Sequence, residues 1–383
     1  MKINNRMYKI GDYEFKALGD LKEKFIREGK EIIDLSIGDP DLEIQENILK
    51  ALTENAYKIG SNKYPPYEGI EKLKNQIIKY YKEVYSVDLK KDEVLVLIGS
   101  KEGISKIIPA VCDIGDYMIV PDPAYPVYIN NAYLWGAVPY TLPLNEEDGY
   151  IPNLDNIPEK IMSKSKLFLI NYPNNPTGAS ANEDFYKNII NMCYSNNIVL
   201  CNDNAYGEII QSGKKPLSLL SFDYKKQCVE FGTLSKTYNM TGFRIGYVVG
   251  NATVLKEILK VKTITDSGQY VPVQEAAVEA LKLDREYINK TRDIYDIRRR
   301  IAKGILDKYK IKYFDSESTF YLWCKTPKGF TTDEYCKELI YKCGLIVTPG
   351  YTFGRLGYNY FRIALTKEAD IIKKVLENLK NIK

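Results

Sequence analysis

Between Thr233 and Arg244 the chain reads TLSKTYNMTGFR, which places hydroxyls, a lysine and, eight residues beyond that lysine, an arginine in one short stretch. Hydroxyls and a guanidinium suit a phosphate dianion, and an amine held off water has a lowered pKa and attacks carbonyls. A lone lysine is ordinarily solvated surface, but Lys236 falls between two apolar runs, Cys228–Phe231 and Ile245–Val249, that read as core strands. Four other polar clusters also follow apolar runs. Gly99-Ser100-Lys101 follows Val94–Ile98 and opens a helix with Glu102 in its first turn, where unpaired N–H groups suit a phosphate, although Ser100 reads equally as an N-cap. Asp122-Pro123-Ala124-Tyr125 and Asn174-Asn175-Pro176-Thr177-Gly178 read locally as turns. Asp203 and Tyr206, in CNDNAYGE, stand just past Ile198–Cys201, where a carboxylate could serve a site or cap a helix.

Composition narrows the chemistry. The chain of 383 residues has no histidine, which excludes Ser-His-Asp and Cys-His mechanisms, HExxH zinc sites and any histidine base. Proton transfer therefore falls to Lys, Asp, Glu, Tyr or Cys. The seven cysteines (112, 193, 201, 228, 324, 336 and 343) are scattered and contain no CxxC pair, so neither a metal site nor a disulfide framework is expected, and a reducing compartment is. Basic residues exceed acidic ones by 54 to 50, too even a balance for a nucleic-acid partner. The start, MKINNRMYKIGDYEF, has no apolar stretch like a signal peptide, and no run of 18 apolar residues occurs, so a soluble cytoplasmic protein without a membrane partner is expected.

The elements that must position these residues follow an alternating pattern, that of an α/β fold with a mostly parallel central sheet covered by helices. Strands are expected at Val94–Ile98, Tyr117–Val120, Leu167–Ile170, Ile198–Cys201, Cys228–Phe231 and Ile245–Val249, largely unalternating as strands covered on both faces should be. Helices are expected at Ile70–Val84, Glu102–Cys112, Glu183–Ser195 and Val273–Leu283, then a long charged one at Asp284–Tyr309. Short elements follow at Phe320–Cys324, Thr332–Cys343, Tyr360–Ala364 and Lys367–Leu379. We read a large domain over 49–280 and a smaller α+β domain formed by 1–48 with 281–383. In an open parallel sheet ligands bind beyond the carboxyl ends of the strands, where all five clusters lie.

SKTYNMTGFRIG resembles the lysine signature of the class I and II aminotransferases, fold-type-I enzymes that use pyridoxal 5'-phosphate. The resemblance runs collinearly along essentially the whole chain, through IDLSIGDPD (33–41), KYPPYEG (63–69), GSKEGI (99–104), DPAYPVY (122–128), NYPNNPTG (171–178), NDNAYGE (202–208) and FRIALT (361–366). It implies that Lys236 holds the cofactor as a Schiff base and shuttles a proton, and that Asp203 pairs with the pyridine nitrogen so that the ring acts as an electron sink. It implies that Asn175 and Tyr206 bond the cofactor's 3-oxygen and that Tyr125 stacks on the ring. Ser100, Lys101, Thr233, Ser235 and Arg244 would bind the phosphate, with Tyr64 reaching in from the second subunit of a homodimer. Arg362, with the Gly38 backbone and Asn175, would clamp the substrate α-carboxylate. The family usually has Ser where Thr233 stands, and the hydroxyl is kept.

Within the family, YPPYEG, IGSKEGI, DPAYPVY and Asp266-Ser267-Gly268 are most similar to the LL-diaminopimelate subgroup, with 2-oxoglutarate as the expected acceptor. Those relatives often carry Asn where Ile264 stands, which leaves aspartate-type and aromatic-type donors open. Glu68, four residues beyond Tyr64, would favour a donor with a second ammonium; its other reading is a cap on the helix near Gly69. A C–S β-lyase of the same fold would use the same Lys236 and Asp203. A non-enzymatic regulator is disfavoured, because residues 1–32 are too few for a DNA-binding domain ahead of IDLSIGDPD.

Overall fold

The computed structural model describes residues 3–10, 22–25, 27–29 and 31–382. Parts of the start MKINNRMYKIGDYEF and of the segment 1–48 therefore lie outside the described residues. Seven strands form the large sheet: β1 (Val94–Leu97), β2 (Tyr117–Asp122), β3 (Val138–Pro143), β4 (Ser165–Ile170), β5 (Val199–Asp203), β6 (Val229–Thr233) and β7 (Gly246–Gly250). Their order is β1-β7-β6-β5-β4-β2-β3. All run parallel except β7, which is antiparallel to both its neighbours. β1, β2, β4, β5 and β6 are almost wholly buried, as apolar runs covered on both faces should be.

Reversal of β7 has a direct consequence. Its first residue, Gly246, lies opposite Leu97 at the end of β1 and Thr233 at the end of β6. The residue that enters β7 from outside, Arg244, thus arrives at the same edge as the segments leaving β1 and β6. The three backbones converge so closely there that a Cβ on Gly246 would lie 2.7 Å from the Ser100 nitrogen and 2.8 Å from the Gly232 oxygen. Only glycine fits that approach.

Helices cover the sheet: α1 (Glu46–Ala56), α2 (Glu71–Tyr85), α3 (Ser100–Val111), α4 (Val127–Trp135), α5 (Glu183–Ser195), α6 (Ala252–Thr265) and α7 (Val271–Ala280). Asn182 and Asn251 cap α5 and α6 by accepting the N–H three residues on. The long α8 (Arg285–Lys308) is capped by Asp284 and anchored through Glu208, whose buried carboxylate receives Arg292 Nη2 at 2.5 Å and Arg285 Nη1 at 2.5 Å. A second sheet, β8 (Tyr321–Lys325), β9 (Thr348–Pro349) and β10 (Tyr360–Ala364), is antiparallel in the order β9-β10-β8. It packs with α9 (Thr332–Cys343) and α10 (Ala369–Glu377), and Ile33–Asp34 pairs with Leu345–Ile346.

The structure adds elements that pattern reading passed over. β3 carries Pro139 and Pro143, which a sheet tolerates only at an edge, and β3 is the edge strand, with half of its residues exposed. α4 is apolar on most sides, so it lacks the periodicity that announces a helix. α1 and α6 also lie outside the helices that the pattern predicts.

Candidate active site

Beyond the carboxyl edge of the large sheet lies a cavity of about 440 Å3. Its lining contains Gly38, Ser100, Lys101, Tyr125, Asn175, Asp203, Tyr206, Thr233, Ser235, Lys236, Arg244 and Arg362, which is every candidate site residue except Tyr64 and Glu68. Those two sit outside it in this chain, on the segment between α1 and α2. Tyr64 is 86% exposed, and Glu68 is exposed. The cap reading of Glu68 is corrected: α2 starts at Glu71 with Ile70 as its N-cap and no side-chain cap, while the Glu68 carbonyl accepts the Val96 N–H at 3.1 Å. The cap reading of Ser100 is corrected likewise, since Gly99 is the N-cap and Ser100 the first helical residue.

At one end of the cavity Ser100 and Lys101 open α3, whose first-turn N–H groups point outward. Thr233 Oγ1 lies 2.9 Å from Ser235 Oγ and accepts the Ser235 N–H at 3.2 Å. Arg244 Nη1 donates to the Thr241 carbonyl at 2.9 Å, and the Gln269 side chain donates to the carbonyls of Phe243 and Arg244, which holds that turn. Helix N-terminus, two hydroxyls and a guanidinium together make an anion cradle.

At the end of β5, Asp203 is 5% exposed. Its Oδ2 accepts the Tyr128 hydroxyl at 2.7 Å, while Oδ1 is buried with no partner. Burial pushes its carboxyl up from 3.8 to about 6, against the opposing pull of the Tyr128 hydroxyl and Lys236. A buried carboxylate oxygen without a donor is costly, and a ring nitrogen carrying a proton is the partner that would relieve it. Lys236 Nζ donates to the Gly38 carbonyl at 2.7 Å. Burial lowers its pKa to about 8; Asp39 and Asp203 oppose that shift, and Arg362 and Arg244 add to it. Gly38 is thus engaged through its carbonyl with the lysine. Tyr206 and Tyr321 share a hydrogen bond at 2.8 Å between their hydroxyls.

Arg362 enters the same cavity from β10 and is 2% exposed. Nη1 donates to Asn175 Oδ1 at 2.6 Å and Nη2 to the Ser36 carbonyl at 2.6 Å, and Nε is buried with no partner. Rings flank it, Tyr321 at 4.0 Å and Phe353 at 4.6 Å from Cζ. Its hydrogen-bond partners are all neutral, so a buried cation awaits an anion. With its Oδ1 committed to Arg362, Asn175 offers the cavity its amide N–H groups.

This donor set fits pyridoxal 5'-phosphate: an anion cradle, an orphaned carboxylate oxygen and a desolvated amine, all in one cavity. Sequence reading missed Tyr128 and Tyr321. Tyr128 stands inside DPAYPVY, but only the fold reveals that its hydroxyl meets Asp203. Asp266, first residue of the DSG motif, is structural: it pairs with Lys262 at 2.8 Å and with Lys106, and Lys106 also pairs with Glu102 at 2.6 Å under α3. Ile264, on the last turn of α6, is 85% exposed. Among the described residues no cluster of metal-binding side chains occurs, and no helix is long and apolar enough to cross a membrane.

Comparison with known proteins agrees with the geometry. The profile of the family described as "Aminotransferase class I and II" matches residues 30–379. The LL-diaminopimelate aminotransferase of Natranaerobius thermophilus is 42% identical over 381 residues, covering 99% of both chains. That of Aquifex aeolicus is 41% identical, covering 100% of this chain and 99% of the relative. Among solved structures, substrate-bound BacF from Bacillus subtilis superposes with a TM-score of 0.95 at 31% identity, covering 99% of this chain and 98% of that one. A probable N-succinyldiaminopimelate aminotransferase from Thermus thermophilus gives 0.90 at 30% identity, covering 96% and 99%.

Proposed function

Because the chain belongs to the class I and II aminotransferases and is a pyridoxal-phosphate-dependent aminotransferase, we propose a division of labour for the residues of its cavity and a substrate for the site. The observation that carries this reading is the meeting in one cavity of Lys236, Asp203, Arg362 and the Ser100–Arg244 cradle.

When bound, the cofactor supplies an electrophilic carbon and an electron-withdrawing ring. Ser100, Lys101, Thr233, Ser235 and Arg244 hold its phosphate. Asp203 Oδ1 keeps a proton on the ring nitrogen, with Tyr128 fixing the other carboxylate oxygen. The Tyr206 hydroxyl, oriented by Tyr321, and the Asn175 amide face the ring oxygen, and Tyr125 packs on the ring. Arg362 receives the substrate α-carboxylate and turns Cα toward Lys236. Lys236 Nζ, with a pKa near 8, then takes the proton from Cα and returns one later; its lowered pKa keeps a useful fraction neutral at physiological pH. No histidine is needed.

The active form is a homodimer in the cytoplasm. All seven cysteines are free, which suits a reducing compartment. Tyr57, Ile59, Tyr64 and Ile264 are each at least 85% exposed, on two neighbouring segments: a Cβ on Gly268 would lie 2.9 Å from the Pro66 carbonyl. Apolar side chains so concentrated suit a second copy of the chain. The domain division at 49–280, with 1–48 joined to 281–383, belongs to the same proposal. Mixing Tyr64→Phe with Lys236→Ala protomers should yield heterodimers with one fully native site and recover activity that the Lys236→Ala homodimer lacks. A monomer by sedimentation at assay concentration would refute it.

For the donor we propose LL-diaminopimelate, with 2-oxoglutarate as acceptor. Relatives so named, at 37–42% identity over nearly the whole chain, support it. So does Glu68, exposed on the segment that carries Tyr64, where a carboxylate suits a donor's second ammonium. Glu68→Gln should lower kcat/KM for LL-diaminopimelate more than for a neutral donor, by about 1–3 kcal/mol if a charged hydrogen bond is lost. A donor screen tests the assignment: 2-oxo acid formation from LL-diaminopimelate supports it, no turnover refutes it, and pyruvate with free thiol from a cysteine conjugate would mark a C–S β-lyase.

A further inference from the structure

Asp122 has no part in the roles assigned so far. It ends β2, is 7% exposed, and directs its carboxylate at the loop between β9 and β10. Oδ2 accepts the Arg355 N–H at 3.2 Å and Oδ1 the Leu356 N–H at 3.3 Å. Gly354, with φ +132°, lies so close that a Cβ there would come within 2.1 Å of Asp122 Oδ1. The loop also closes on itself, since a Cβ on Gly357 would meet the Gly350 carbonyl at 2.0 Å. A second tie follows two residues after Asp122, where the Ala124 N–H donates to the Phe353 carbonyl at 2.7 Å.

Phe353 is what this anchorage positions. Its ring is 2% exposed, lies 4.6 Å from Arg362 Cζ and meets Trp323 edge-on at 5.9 Å. A continuous set of contacts therefore runs from the end of β2, through the 354–356 backbone, to the ring that backs the guanidinium. Tyr125, in the cofactor's half of the cavity, is three residues along from Asp122. The two tethers thus register the carboxylate-binding arginine of the small sheet against the cofactor half of the large one.

We propose that Asp122 is a positioning residue for substrate binding: by gripping the 350–357 loop it holds Phe353 against Arg362 and fixes the guanidinium in the orientation a substrate carboxylate needs. This rests on the reading of Arg362 as the α-carboxylate clamp. Ionised, Asp122 is an acceptor only and serves both N–H groups with charge-assisted bonds. An asparagine of the same shape would turn an NH2 group toward one of those donors, loosening the loop while leaving every cofactor contact in place.

The test is steady-state kinetics on cofactor-loaded enzyme. Asp122→Asn should raise KM for the amino donor and for the 2-oxo acceptor by about 10-fold, with kcat changed less than about 3-fold, the pattern of weakened ground-state and transition-state binding alike. The visible absorption of the bound cofactor and its dissociation constant should stay as in the parent. Gly354→Ala, which drives a methyl group into Asp122 and also strains the backbone at φ +132°, should give the same split. Should Asp122→Asn not fold, the Gly354→Ala KM decides. An unchanged KM, or parallel losses of KM, kcat and cofactor affinity, overturns the proposal. Arg362→Lys keeps the readings apart. If it raises KM and Asp122→Asn does not, only Asp122 loses its role; if it leaves KM unchanged, the clamp and this proposal both fall.

Discussion

Lys236→Ala should lower turnover by at least about 10^4-fold, because one substitution removes both the amine we propose as the cofactor's anchor and the base we propose at Cα. The loss is confined to chemistry. Lys236 makes one side-chain hydrogen bond, to the Gly38 carbonyl, and carries a charge that burial disfavours, so without cofactor the variant should match or exceed the cofactor-free parent in Tm. Borohydride reduction of the parent should leave the cofactor on the peptide containing Lys236. Two other lysines test the assignment. Lys101 lines the same cavity, and Lys262 is fully buried between Glu102 and Asp266. Recovery of label on either would refute the mechanism.

Asp203→Asn should act in opposite directions on catalysis and on stability. Catalysis should fall by about 10^2–10^3-fold or more, the scale seen when one preorganised electrostatic partner is removed, because an amide cannot hold the ring nitrogen in its protonated form. The cofactor-free protein should become more stable. Its Asp203 has a folded-state pKa of about 6 against 3.8 for an ordinary aspartate, so the folded chain binds that proton more tightly than the unfolded one. The contribution is therefore fully favourable below about pH 4 and is lost as pH rises through about 6, a difference of about 3 kcal/mol. Asparagine does not titrate, so apo Asp203→Asn should gain roughly 1–3 kcal/mol near neutral pH, read as a higher Tm, and should lose the decline between pH 4 and 6. A lower apo Tm for the variant at neutral pH would refute this account of the buried carboxylate.

Much of the site was legible because its chemistry is local. Lys236, with Thr233 and Ser235 before it and Arg244 eight residues on, is recognisable along the chain, since a strand, a turn and the next strand hold those residues within one short segment. Asp203 was legible for the same reason, as a carboxylate at the mouth of an apolar run. The same logic failed where the signal was flat or broken. Two prolines hid β3, and a helix apolar on most sides hid α4.

What the residue string determined by itself is the inventory: no histidine, one lysine between core strands, hydroxyls and an arginine beside it, an acid after β5 and an arginine in FRIALT. What only the tertiary structure decided is which of these meet. Arg362 lies 126 positions from Lys236 and 159 from Asp203, and nothing along the chain shows that Tyr128 completes Asp203, that Tyr321 orients Tyr206, or that Asp122 holds the loop behind Arg362. The physical reason is the sheet. Parallel strands deliver their carboxyl ends to one edge, and a single antiparallel strand delivers its amino end there too, so residues remote in sequence become neighbours only once the strand order exists. Tyr64 and Glu68 mark the remaining step. They are exposed and do not line their own cavity, and the proposed homodimer assigns them to a second copy of the chain.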